Sequence, residues 1–316
     1  CLLSRGLGDV YKRQVLDNAK DNGYQVVTNA SELEAIAEAN SDKPVLGLFS
    51  EGNMPRVLNQ SIPTTDGGDQ QPATCVANPE FTEETPRLGA MTSKALELLQ
   101  NDNGFLLQVE SASPDKADHQ ADACGLIGEV GQLDEAVQAV QKWVEETGEE
   151  TLIVATADHA HTAQITYDNA NTAGRVTQLT TVDGSTMAVN FATSKTNEDE
   201  DALGGQQHTG AQLRVAASGP GAANVTGQID QTDLFFLVNN ALGIESINHG
   251  LTFDTTMTPV EAQPEGDSEG SAQGSSTTSP WLIAVLSISG IIGLLSLISL
   301  LFPFPIDKVL GPIAKR

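Results

Sequence analysis

Short apolar runs alternate along the middle of the chain with longer segments in which apolar residues recur every three or four positions. The continuous apolar runs, which have the length of buried strands, are 45–50, 105–110 and 151–157. The segments with helical spacing are 30–40, 92–102 and 133–146. This alternation predicts an α/β fold with a largely parallel sheet.

Two of the predicted strands end in side chains that can bind a metal ion. Glu110 closes the run 105–110, and Asp158 and His159 follow the run 151–157. Ligand sites in open α/β sheets gather at the carboxyl ends of the strands. We therefore expect a functional site at this edge of the sheet.

Further metal-binding side chains lie close to these strand ends in the sequence. Four of the five histidines fall in three short polar stretches: His119, His159, His161 and His208. Asp115 precedes His119 by four positions, so a helix there would place both on one face. Nitrogen and carboxylate ligands in this mixture suit Zn²⁺, and an oxygen position built around Glu110 suits Mg²⁺. A lone Asp-x-x-x-His pair is more often a surface pair, so the prediction depends on the three stretches together.

The far end of the chain has a different pattern. The run 281–302 has no charged residue and, as a helix, is long enough to cross the roughly 30 Å hydrocarbon core of a bilayer. An acidic linker, 248–280, precedes it and is rich in Gly and Ser from residue 261 onward, which is typical of a flexible tether. The tail 303–316 carries more basic than acidic residues, so we expect a transmembrane helix with this tail in the cytoplasm. A cleaved lipid-anchor signal is the alternative.

The net negative charge of the chain excludes one class of binding partner. The 316 residues include 42 acidic and 16 basic side chains, a formal net charge of -26. Such a surface repels nucleic acids, so we expect no DNA or RNA partner. Residues 1–14 are basic and lack an initiator Met, and we interpret them as non-native sequence.

The cysteine count leaves two alternatives open. With Cys1 set aside as part of the non-native segment, Cys75 and Cys124 remain. Two cysteines suit one disulfide in an oxidising compartment and equally suit two buried thiols.

Four segments resemble, in their order and intervals, those of bacterial alkaline phosphatases: LFSEGNMPR (48–56), QVESASPDKADH (108–119), TADHAHTAQI (156–165) and QHTGAQLRVAASGPGAANVTGQIDQTDLF (207–235). The resemblance runs from about residue 15 to 243, so we assign 15–247 to the C-terminal half of that family's catalytic domain, although Pro114 departs from the family pattern. It implies a three-layer α/β fold around a central, largely parallel sheet that is incomplete here. A protein that also contains the other half is called the full-length protein below.

The resemblance also implies a role for each candidate residue. Asp115, His119 and His208 would hold one zinc, Asp158 and His159 would contribute to a second zinc, and Glu110 would bind magnesium. His161 would orient Asp115, and Lys116 would reach the substrate phosphate through water; a polar cap and a solvated surface charge are the plainer alternatives for these two. Cys75 and Cys124 match positions that the family joins as a disulfide.

The implied activity is the hydrolysis of phosphate monoesters outside the cytoplasm through a phosphoserine intermediate, with two Zn²⁺ and one Mg²⁺. The resemblance is also compatible with a homodimer. Because the family's nucleophilic serine and phosphate-clamping arginine have no counterpart here, we expect the 316-residue chain alone to be inactive. Two alternatives remain: a phosphodiesterase or sulfatase of the same superfamily, and a non-catalytic surface protein stabilised by metal.

Overall fold

A computed structural model describes residues 14–194 and 205–243 and the backbone of 282–288. The strands are β1 (Gln25–Val27), β2 (Val45–Gly47), β3 (Leu106–Glu110), β4 (Thr151–Ala157), β5 (Ala163–Thr166), β6 (Arg175–Thr180), β7 (Thr186–Phe191), β8 (Ala216–Ser218) and β9 (Leu282–Ile288). Residues 14–21 are helical, and the α-helices whose bounds both lie among the described residues are α1 (Ala30–Glu34), α2 (Leu88–Leu99), α3 (Ser113–His119), α4 (Ala123–Thr147) and α5 (Asp233–Ala241). The predicted α/β class is confirmed.

The main sheet has four strands in the order β3-β9-β4-β8. β3 and β4 both run parallel to β9, and β8 is antiparallel to β4. The carboxyl ends of β3 and β4 therefore lie at the same edge, two strand positions apart. This edge carries Glu110 and, one residue beyond β4, Asp158.

Helices cover both faces of this sheet because successive residues of β4 point to opposite sides. On one face, Ile153 packs with Leu96 of α2 and Val140 of α4. On the other face, Leu152 and Val154 pack with a cluster that includes α5. The described residues thus form the predicted three layers.

The helices begin and end at recognisable signals, and two differ in length from the prediction. The Asp122 side chain caps α4 by accepting the Gly125 N–H, and Gly148 ends the helix with a φ of 71°. α4 is therefore much longer than the predicted 133–146. α1 is shorter than the predicted 30–40, and the carbonyl of Ile36 beyond it accepts a hydrogen bond from Lys94 Nζ (3.2 Å).

A second, antiparallel sheet with the order β5-β7-β6 was not predicted from the sequence. Its Leu179 and Phe191 pack against Cys124, at the start of α4. Cys124 is joined to Cys75 by a disulfide with a Cα–Cα distance of 5.4 Å, which confirms the pairing that the resemblance implied. The disulfide therefore ties the loop before α2 to the start of α4, where the antiparallel sheet packs.

The predicted transmembrane helix 281–302 is wrong for part of its length. Residues Leu282–Ile288 form β9, between β3 and β4, and the rest of 281–302 lies outside the described residues. A short apolar run suits a buried central strand of a parallel sheet as well as a helix, so its composition does not distinguish the two. In the described part of the chain, no helix is both long and apolar enough to cross a bilayer.

Buried charges fix the loop at residues 56–61 to the start of α4. Arg56 Nη1 donates to Asp122 Oδ2 (2.7 Å), and the Ser61 N–H donates to Asp122 Oδ1 (2.8 Å). Two helical turns further, Glu129 is 4 % exposed and accepts the Val57 N–H (2.8 Å). Burial raises the pKa of Glu129. The hydrogen bonds that its carboxylate accepts from Val57 and Gln132 oppose this shift, as do the charges of two nearby arginines, Arg56 and Arg87.

Replacing both Cys75 and Cys124 with Ser in the full-length protein should lower the free energy of unfolding. The disulfide spans 49 residues, and loop-entropy arguments give a contribution on the order of 4 kcal/mol. Urea unfolding of the oxidised protein and of the double variant measures the difference. Equal midpoints in the two proteins would contradict this prediction.

Replacing Glu129 with Gln should make the stability of the full-length protein depend less on pH. A pKa raised by folding means that the contribution of Glu129 is complete below its ordinary value of 4.5 and is lost as pH rises through the folded-state value. Urea unfolding from acidic to neutral pH should therefore show a smaller decline in Glu129→Gln. Glu145→Gln removes the same charge from an exposed position of α4 and is the control. Equal declines in both variants would contradict the assignment.

Candidate metal centre

Three segments bring metal-binding side chains to the carboxyl edge of the main sheet. α3 follows β3 and carries Asp115 and His119 one turn apart. Pro114 lies in the first turn of this helix, where its missing N–H costs no hydrogen bond, so the departure from the family pattern leaves the helix intact. The segment after β4 carries His159 and His161.

The third segment, residues 205–209, is held against the other two by main-chain hydrogen bonds. The Thr209 N–H donates to the Ala160 carbonyl (2.7 Å), and the Gln206 N–H donates to the His119 carbonyl (3.1 Å). These bonds bring His208 to a site whose other members lie far away in the sequence.

Four imidazole rings converge on one oxygen of a buried carboxylate. Asp115 is 2 % exposed. The distances from its Oδ1 to the Nε2 atoms are 2.8 Å for His161, 3.0 Å for His208, 3.4 Å for His119 and 3.6 Å for His159. The structure thus brings together Asp115 with all four predicted histidines.

Opposing effects set the charges in this cluster. Burial by itself raises the pKa of Asp115, but the hydrogen bond from His161 and the neighbouring positive charges outweigh it, so the pKa is lowered. Burial lowers the pKa of His161 despite its bond to Asp115. Near neutral pH the centre therefore holds an ionised carboxylate beside a neutral imidazole, and a carboxylate is the form in which Asp binds a metal.

The donor set fits a zinc ion. The ligand atoms of Asp115, His119, His161 and His208 lie within 4.8 Å of one another. His119 Nε2 and His208 Nε2 are 2.9 Å apart, so two nitrogen lone pairs are directed at one small volume. Both ring nitrogens of His159 and Nδ1 of His161 are buried without a hydrogen-bond partner among the described residues. Nitrogen and carboxylate donors in this number are those of protein zinc sites.

Two predicted ligands lie outside this cluster. Asp158 has a side chain that is 40 % exposed and lies 3.6 Å from His159 Nε2. Glu110 ends β3, and its side chain forms no hydrogen bond or ion pair with the described residues. The described part of the chain therefore assembles the residues predicted for the first zinc more completely than those predicted for the second zinc and magnesium.

Lys116 follows Asp115 on α3 and lies beside its carboxylate. Its Nζ is 3.4 Å from Asp115 Oδ2, and its side chain is 27 % exposed. It lines a cavity of about 400 Å³ together with Arg56 and Gln120. A positive charge between a buried carboxylate and an open cavity can attract an anionic substrate.

Sequence reasoning missed two buried residues that support the cluster. Asp118 is 8 % exposed, and burial together with the charge of Asp115 raises its pKa to about 7. Its three-residue spacing from Asp115 on a helix was a usable signal. Gln206, which is 0 % exposed, had no such signal because it contacts α3 from a distant part of the chain.

Comparisons with known proteins show what the chain is similar to. The family model described as alkaline phosphatase matches residues 6–202, so the match begins inside the segment 1–14 that was interpreted as non-native. The chain is 45 % identical over 240 residues to the alkaline phosphatase of Escherichia coli (strain K12), which covers 75 % of this chain and 49 % of that protein.

Two further relatives extend the comparison. Alkaline phosphatase H of Pseudomonas aeruginosa is 49 % identical over 72 % of this chain and 46 % of its own length. Streptomycin-6-phosphate phosphatase of Streptomyces griseus is 38 % identical over 73 % of this chain and 51 % of its own length. The alkaline phosphatase structure from the Antarctic bacterium TAB5 superposes with a TM-score of 0.45 at 19 % identity, over 70 % of this chain and 52 % of that one. The chain thus spans about half the length of the curated relatives it matches.

Replacing His208 or Asp115 with Ala in the full-length protein should remove one bound zinc and most of the turnover, because each change opens the ligand set. Elemental analysis after dialysis measures the zinc. Asp168→Ala, which removes an exposed aspartate from the loop after β5, is the control and should keep its metal. Unchanged zinc in both site variants would refute the assignment.

Proposed function

Because the chain belongs to the alkaline phosphatase family, we propose that the full-length protein hydrolyses phosphate monoesters and releases inorganic phosphate outside the cytoplasm. The observation that carries this proposal is the convergence of four imidazole rings on the buried Asp115 carboxylate, at the carboxyl edge of the main sheet. The relatives with 45 % and 49 % identity carry the name alkaline phosphatase, which supports it.

The proposed ligand sets are those that the family resemblance implies: Asp115, His119 and His208 for one zinc, Asp158 and His159 for a second zinc, and Glu110 for magnesium. When bound, the zinc ions lower the pKa of the attacking oxygen and stabilise the charge on the departing oxygen. The distances around Asp115 support the first set. The second set and the magnesium site need further ligands from the full-length protein.

His161 acts through Asp115 rather than on the substrate. Its Nε2 lies 2.8 Å from Asp115 Oδ1, which holds the carboxylate in one orientation. A partner of this kind fixes the geometry of a metal ligand.

Lys116 binds the substrate through its charge. Its ammonium group lies beside the cavity of about 400 Å³, and the neighbouring Asp115 carboxylate limits its movement. The group can hold the anionic phosphate through water.

The disulfide supports a location outside the cytoplasm, because such bonds persist in oxidising compartments. Because residues 282–288 form β9, the 14 residues 289–302 that remain of the predicted span are too few to cross a bilayer as a helix, and membrane attachment is not part of this proposal. A homodimer stays a prediction.

Turnover of three aryl esters by the full-length protein, with zinc and magnesium added, tests the proposal. The aryl phosphate monoester should be hydrolysed much faster than the diester or the sulfate, and a chelator should abolish the activity. Faster hydrolysis of the diester or the sulfate would indicate another member of the superfamily. Bound zinc without turnover of any ester would indicate the non-catalytic alternative.

A further inference from the structure

Gln206 is a fully buried amide that has no role in the proposed chemistry. It is 0 % exposed, whereas the neighbouring Gln207 is exposed. Burying an amide is costly unless its polar atoms are paired. The partners of Gln206 therefore show what the residue holds in place.

Both main-chain polar groups of Gln206 contact His119. Its N–H donates to the His119 carbonyl (3.1 Å), and its own carbonyl lies 2.7 Å from His119 Nδ1. A carbonyl can only accept, so the proton of the neutral imidazole lies on Nδ1. His119 Nε2 is then left with its lone pair free, directed at His208 Nε2 and Asp115 Oδ1.

The side chain of Gln206 forms hydrogen bonds with the segment of His161 and with the segment of His119. Its Oε1 accepts a hydrogen bond from Thr162 Oγ1, next to His161. Its Nε2 donates to Asp118 Oδ1 (3.1 Å), next to His119. One amide thus joins all three segments that carry the histidines.

We propose that Gln206 is a positioning residue for the first zinc site. Its main-chain carbonyl sets the tautomer of His119, and its side chain holds the segments of His119, His161 and His208 in register. This inference rests on the proposed function for the identity of the metal. Partners that orient a metal ligand in this way typically contribute about 10- to 100-fold to metal affinity.

Gln206→Met in the full-length protein tests the inference, because methionine fills a similar volume without the two side-chain hydrogen bonds. Competition with a chromogenic chelator should show zinc affinity about 10- to 100-fold weaker than in the wild type. Gln207→Met makes the same change at the exposed neighbour and should leave the affinity unchanged. Equal zinc affinity in Gln206→Met and Gln207→Met would overturn the inference.

Exchanging the hydrogen-bond donor and acceptor between positions 206 and 118 distinguishes a positioning role of Gln206 from simple filling of space. Gln206→Glu alone places two carboxylates together at alkaline pH and should weaken zinc binding. Asp118→Asn alone keeps an oxygen acceptor for Gln206 and should have little effect. The double variant restores one hydrogen bond with its direction reversed, so it should recover most of the affinity. A double variant no better than Gln206→Glu would contradict the proposed role even if Gln206→Met failed to fold.

These readouts are independent of catalysis. If the wild type binds zinc but hydrolyses no phosphate monoester, the proposed function fails and the zinc affinities still decide the role of Gln206. If the wild type hydrolyses the monoester and Gln206→Met keeps both zinc affinity and turnover, the function stands and the positioning role is rejected.

Discussion

The buried carboxylate of Asp115 is the constraint on which the site depends. An ionised carboxylate that is 2 % exposed is stable only if nearby groups offset its loss of water. Here the hydrogen bond from His161 and the charge of the Lys116 ammonium group contribute to the offset and lower its pKa. Lys116 lies on α3 next to Asp115, whereas the segment after β4 must hold His161 close, and the hydrogen bonds of the 205–209 segment bring His208 to the same centre.

The sequence predicted the elements whose burial follows simple patterns. β4 is a largely apolar run whose first four residues are all buried, β3 has buried apolar residues at Leu107 and Val109, and both strands lie where they were expected. The antiparallel sheet was missed because its burial does not follow hydrophobicity. Gln178 of β6 is 3 % exposed, yet its amide donates to the carbonyls of Gly68 (2.9 Å) and Gln70 (2.8 Å). Such long-range pairing has no local signal in the sequence.

The site was predictable to a similar extent. Strand ends and helical spacing are enough to identify five of the candidate residues: Glu110, Asp115, His119, Asp158 and His159. The polar stretch around His208 made it a candidate, but its pairing with Asp115 and His119 followed only from the family resemblance, because the contact between Thr209 and Ala160 joins distant segments. Cys75 and Cys124 also lie far apart in the sequence, so the cysteine count left their pairing open.

The position of β9 between β3 and β4 determines the breadth of the site. Adjacent strands lie about 4.8 Å apart, so two strands that flank a third are separated by roughly 10 Å. Asp115 on α3, which follows β3, and His159 and His161, which follow β4, thus start from strands that do not touch, and yet the two imidazole Nε2 atoms lie 2.8–3.6 Å from Asp115 Oδ1. The centre is therefore assembled by side chains that reach across the width of an intervening strand.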